Sequence, residues 1–119
     1  MAEYLLISSR DPFETSTAEE FHMLASRLAS HGDRVTLFLV QNGVLPARCC
    51  PRSQSLERAA ESGVEILADA FSLRERGIAG NRLTRGVQPA PLATIIDQLA
   101  AGRKALWHCE RERETAHHG

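Results

Sequence analysis

Val35-Thr36-Leu37-Phe38-Leu39-Val40-Gln41-Asn42-Gly43 is the stretch that decides the fold. From Val35 to Val40 the chain is a nearly unbroken apolar run of β-branched, aliphatic and aromatic residues. Such a run predicts a strand buried on both faces, because a parallel sheet covered by helices has no solvent side. Gln41-Asn42-Gly43 closes it, and Asn42-Gly43 predicts the positive φ angles of a sharp turn. Upstream, Tyr4-Leu5-Leu6-Ile7 is a second run of the same kind, ending in Ser8-Ser9-Arg10-Asp11-Pro12. Between the two, the apolar period becomes helical at Phe21, Leu24, Ala25 and Leu28. Thr17 with Glu20 fits a capping box, Glu19 and Glu20 suit a first turn, and Gly32 fits the stop. Two buried strands joined by a helix make a βαβ unit, whose crossover is right-handed.

Downstream the alternation continues. Ser53 is an N-cap candidate for a helix through Leu56–Ala60 to about Glu61, with Gly63 as its stop. Val64-Glu65-Ile66-Leu67-Ala68 reads as the third strand, and Phe71 to Arg76 as a short helix ended by Gly77. Pro91 to Ala101 reads as another helix stopped by Gly102, and Ala105-Leu106-Trp107 as the last strand. Residues 78–90, rich in Gly, Pro and Arg, predict a loop or a short edge element. The expected architecture is a three-layer α/β sandwich: a mainly parallel sheet of four or five strands with helices on both faces. Residues 1–109 form one domain on this reading. Residues 110–119, where charge alternates before a His117-His118-Gly119 end, form a solvated tail.

A chain of 119 residues matches one domain, since domains centre near about 100–150 residues. A net charge of −1 argues against a nucleic-acid or anionic-membrane binder. No apolar run approaches the roughly 18 residues of a membrane span, and Met1-Ala2-Glu3-Tyr4 does not read as a signal peptide. Three cysteines in this context suggest a reduced, cytoplasmic protein.

Reactive chemistry centres on Pro46-Ala47-Arg48-Cys49-Cys50-Pro51-Arg52. The thiolate is the nucleophilic form of cysteine, and cations and helix N-termini favour it. Arg48 and Arg52 supply the cations, and the helix expected after Ser53 supplies backbone N–H groups. Cys50 and Cys49 are therefore the candidate nucleophiles, against the reading that both are incidental loop residues. A disulfide between neighbours would be strained, so any bond between them would be transient. Cys109 reads as an apolar filler, with His108 on the opposite strand face. His22 and His31 read as surface or packing residues. His117 and His118 form no metal cage, and no cofactor is expected: neither G-x-G-x-x-G, a P-loop nor a G-x-S-x-G elbow occurs. In open α/β sheets ligands gather at the carboxyl ends of strands, which makes Ser9, Asn42 and Asp69 the ligand-facing candidates. Asp69 also reads as a helix N-cap.

The order of these segments resembles the DsrE/DsrF-like family of sulfur-relay proteins. The resemblance is carried by Tyr4-Leu5-Leu6-Ile7-Ser8, by Val35–Val44, by Gly63-Val64-Glu65-Ile66-Leu67-Ala68, by Leu73-Arg74-Glu75-Arg76-Gly77-Ile78 and by Lys104-Ala105-Leu106-Trp107. It implies a flavodoxin-like fold, association into dimers, trimers or hexamers, and sulfur carried as a cysteine persulfide. It also implies an active cysteine at position 69 and, in some members, another at position 72. Here those positions hold Asp69 and Ser72. The resulting expectation is a persulfide carrier using Cys50 or Cys49, exchanging sulfur with a donor or acceptor protein. The alternatives are a non-catalytic subunit of the same fold, and a small-molecule binder at the strand ends.

Overall fold

The computed structural model describes residues 1–10, 17–48 and 54–108. Its five strands are β1 (Glu3–Ser8), β2 (Arg34–Leu39), β3 (Glu65–Asp69), β4 (Val87–Ala90) and β5 (Lys104–His108). Its four α-helices are α1 (Thr17–Ser30), α2 (Gln54–Glu61), α3 (Ala70–Glu75) and α4 (Ala93–Ala100). Every strand pair is parallel, in the order β4-β3-β2-β1-β5. The chain steps outward from β1 to β4, then returns to place β5 on the far side of β1. Because crossovers are right-handed, that reversal puts α1 and α2 on one face and α4 on the other.

The core divides accordingly. Leu6, Val35, Leu37, Leu39, Ile66 and Ala68 pack toward α1 and α2, with Ala25, Leu56 and Ala59 from the helices. Leu5, Ile7, Phe38, Val40 and Leu67 face the other way, where Ile95 and Ala90 lie against them. This strict alternation is the period-two geometry of a strand, here apolar on both sides. Burying one side chain the size of Phe38 stabilises the fold by about 2–3 kcal/mol.

Among the described residues one eight-residue helix, α4, covers the second face, and none of its residues is buried. That thin cover is what shapes the candidate site below. Of the two alternatives for residues 78–90, the short edge element is present: β4, where Pro89 pairs with Ala68, follows a 3-10 turn (Gly80–Arg82). The sequence reading differs from the structure at other points. Gln41–Ala47 forms a 3-10 helix, not a simple turn. The positive φ belongs to Gln41, at 52°, and not to Asn42 or Gly43. Gly43 is needed for a different reason: a Cβ there would fall on the Ser8 carbonyl oxygen, well inside van der Waals contact. On α1 the fully buried positions are Ala18, His22 and Ala25, while Phe21, Leu24 and Leu28 pack around them half-buried. Trp107 and Leu106, read as a last apolar strand, lie exposed on β5, which among the described residues has a strand neighbour on one side only.

Candidate functional site

A groove of about 700 Å³ opens where the thinly covered face meets the carboxyl ends of the strands. Ile7, Val40 and Ala105 line its floor, Leu92, Ile95 and Leu99 the α4 side, and Phe71 and Trp107 the flanks. Gln41, Asp69, Ser72, Glu75 and Arg76 gather as its polar groups. Its location obeys the rule for open α/β sheets, and its size lies in the range of small-molecule sites, about 300–1,000 Å³.

Asp69 anchors the polar end. It is the last residue of β3 and shares the face of Leu67, two residues before it, so its side chain turns to the α4 side. It is also the N-cap of α3, only 3% exposed. Its Oδ2 accepts from the Ser72 backbone N–H at 3.0 Å and from the Ser72 hydroxyl at 2.7 Å. Ser72 Oγ in turn accepts from the Gln41 N–H at 2.9 Å, which holds Gln41 in its left-handed conformation. Arg76 closes the network. Its Nε and Nη2 donate to Asn42 Oδ1 at 3.2 and 3.0 Å, and its Nη1 donates to the Ser72 carbonyl at 3.2 Å. The ends of β2 and β3 are thus tied to α3, in part by charge-assisted hydrogen bonds.

Asn42 and Asp69 are therefore joined through Arg76 and Ser72. Ser9 is not part of that cluster: its hydroxyl donates to the His108 carbonyl at 3.3 Å, tying the ends of β1 and β5. Arg48 does not line the groove and borders separate depressions with Gly77, Ile78, Ala79 and Arg82. Its carbonyl accepts from Thr84 Oγ1 at 3.2 Å, and the Ala47 carbonyl accepts from the Thr84 N–H at 2.6 Å. Cys49, Cys50, Arg52 and Cys109 lie outside the described residues, as do Ser53, His117 and His118.

The second polar centre is one the sequence left as surface or packing. His22 is fully buried between α1 and α2, with Nδ1 2.8 Å from Ser55 Oγ. Its Nε2 is buried without a hydrogen-bond partner among the described residues. Burial pushes its pKa from 6.5 down to about 4, and the charge of nearby His108 adds to the drop. His108 stacks on Phe21 at 5.1 Å between ring centroids, and its Nε2 lies 3.0 Å from Thr17 Oγ1. The exposed His31 sits with Nδ1 2.8 Å from the Arg27 carbonyl at the end of α1. No group of three or more His, Cys, Asp or Glu able to hold a metal occurs among the described residues. No described helix is long and apolar enough to cross a membrane.

The same architecture recurs in solved structures. The ychN protein of E. coli superposes with a TM-score of 0.81 at 19% identity, over 91% of this chain and 100% of its own. MTH1491 of Methanobacterium thermoautotrophicum, a protein of unknown function, gives 0.73 at 18% identity, over 91% and 100%. BT1422 of Bacteroides thetaiotaomicron, of unknown function too, gives 0.73 at 18% identity, over 89% and 94%. At such identities the likeness is one of fold. None of the curated proteins matches the sequence significantly. The DsrE/DsrF-like family model, however, matches residues 2–107, nearly the whole described chain. By that match, and with a five-stranded parallel sheet in the expected order of segments, the chain belongs to the DsrE/DsrF-like family.

Proposed function

We propose that the chain is an assembling DsrE-fold subunit of a sulfur-relay system, one whose β3 end offers a fixed carboxylate in place of a thiol. The observation that carries this reading is the Asp69–Ser72 pair. Both residues are buried, both bonds go to one carboxylate oxygen, and neither side chain can hold a sulfane sulfur. Association draws support from the surface around β5 and α4. Trp107 is 67% and Ile96 68% exposed, with Leu92 and Leu99 on the same face also open to solvent. Contiguous apolar patches of this kind mark interaction sites. Replacing Trp107 and Ile96 together by glutamate is expected to convert the assembly to monomers in light scattering, with the fold intact by circular dichroism. An unchanged particle mass would remove this face as the contact.

A second reading, a persulfide carrier at Cys50 or Cys49, has one observation in its favour. Both ends of the segment that holds them are pinned, Arg48 by Thr84 and Ser55 by His22. A thiolate held there would attack the outer sulfur of thiosulfate, forming Cys–S–S⁻ and releasing sulfite. Intact mass after thiosulfate treatment separates the readings. The subunit reading expects no added sulfur in the wild type. A gain of one sulfur atom that thiols reverse, and that Cys49→Ser/Cys50→Ser lacks, would replace it with the carrier reading.

A further inference from the structure

The groove carries a feature that neither sulfur transfer nor assembly uses. Asp69 Oδ2 takes both bonds from Ser72, whereas Oδ1 receives none from any described residue. Asp69 lines the groove, so this oxygen is open to a donor from whatever occupies the groove. We propose that this groove binds a small amphiphile with a protonated amine head and an apolar body, its ammonium donating to Asp69 Oδ1.

Charge selects the head. The ionisable groups lining the groove are Asp69, Glu75 and Arg76, two acids and one base. The base is already committed, since its guanidinium donates to Asn42 and to the Ser72 carbonyl. The lining is therefore net negative, which favours an ammonium over an anionic head. Shape selects the body. Ile7, Val40, Leu92, Ile95 and Trp107 give an apolar channel running from Asp69 toward β5, and Trp107 adds a ring face that suits a cation or an alkyl chain. The chain's own end does not suit it, for Glu110-Arg111-Glu112-Arg113-Glu114 is charged at every position. The rim supports the same assignment. Gln41 holds a left-handed backbone that costs about 1 kcal/mol or more in a non-glycine residue, and such strain concentrates at ligand sites.

Trp107 is the chain's single tryptophan, so its emission reports on the groove directly. Wild-type protein is titrated at neutral pH with n-hexylammonium, 1-hexanol and hexanoate. The expected order is hexylammonium tightest and hexanoate weakest, with about tenfold or more between them, as a charge-assisted hydrogen bond requires. Asp69→Asn, which keeps an oxygen for the α3 cap, is expected to erase the preference of hexylammonium over hexanol. Ile95→Phe, which leaves Trp107 the single tryptophan, should block all three probes by filling the channel. The wild-type ranking alone tests the proposal if either variant fails to fold. Equal affinities for the three probes would overturn it, as would unchanged emission up to about 10 mM probe, an affinity too weak for a built site. It would fall equally if emission shifted with protein concentration alone and the probes failed to compete, since the occupant would then be a second copy of the chain.

Discussion

Gly43→Ala is expected to lower stability by about 3 kcal/mol or more, read as a fall in the urea midpoint at unchanged slope. The added methyl would collide with the Ser8 carbonyl oxygen and approach Ser9 Cα to 3.2 Å. Both obstacles are backbone, so no rotamer change relieves them. The displaced carbonyl is also the acceptor for the Val40 N–H at 2.9 Å, and the Gly43 N–H donates to the Val40 carbonyl at 2.8 Å. One methyl thus strikes the junction at which β2 passes into the 3-10 helix beside the groove. Gly80→Ala is the control, because open space surrounds its Cβ position and its φ is not positive. It is expected to change stability by less than about 0.5 kcal/mol. A Gly43→Ala midpoint equal to that of Gly80→Ala would disprove the close approach of β1 and the 3-10 helix.

Acid should weaken the fold through His22. Its folded pKa, about 4, lies below the ordinary 6.5. Between those values the unfolded chain binds a proton that the folded chain refuses, so stability rises with pH across the window. Read downward, the loss begins as pH falls past 6.5 and is complete near 4. The shift corresponds to about 3 kcal/mol at 1.36 kcal/mol per pH unit. The cause is geometric: a proton on the buried Nε2 would find no acceptor, and His108 stands close enough to repel the charge. His22→Asn, which keeps a polar partner for Ser55, should flatten the stability profile between pH 4 and 6.5 relative to wild type. Parallel wild-type and variant profiles in that window would rule out His22 as the titrating group.

Much of the fold could be read because buried parallel strands are written as unbroken apolar runs. Tyr4–Ile7, Val35–Val40 and Val64–Ala68 each fall within a residue or so of β1, β2 and β3. β4 was legible only as one of two alternatives because Val87-Gln88-Pro89-Ala90 buries only Val87, and it is a strand through its pairing with β3 rather than through its pattern. The exposure of β5 escaped for a related reason: an apolar run says nothing about whether a second neighbour exists. His22 had a faint signature. It stands between Ala18 and Ala25 on one helical stripe, the small-residue track where α2 comes close, whereas the larger Phe21, Leu24 and Leu28 drew the eye to the flank. Asn42 and Asp69 were legible as strand-end residues, and Asp69 as a cap. Their union through Arg76 and Ser72 was not, since it joins side chains from two separate stretches. The groove walls likewise come from β1, the β2 end, α3, α4 and β5, a combination that only the strand order creates.

The two flanks of the sheet are unlike each other. β4 is four residues long and carries Pro89, which offers no N–H for another strand to use. β5 at the opposite flank has no proline, and among the described residues no strand pairs with its outer edge, beside Trp107. A ladder extended through β5 by a twofold pairing would consume the open flank of both partners at once and leave two blunt β4 ends. Growth by strand addition then stops at two chains. In such a pairing Pro89 at the far side of the sheet would act as a terminator, and the hydrophobic β5 strand would be compatible with a finite particle instead of a fibre.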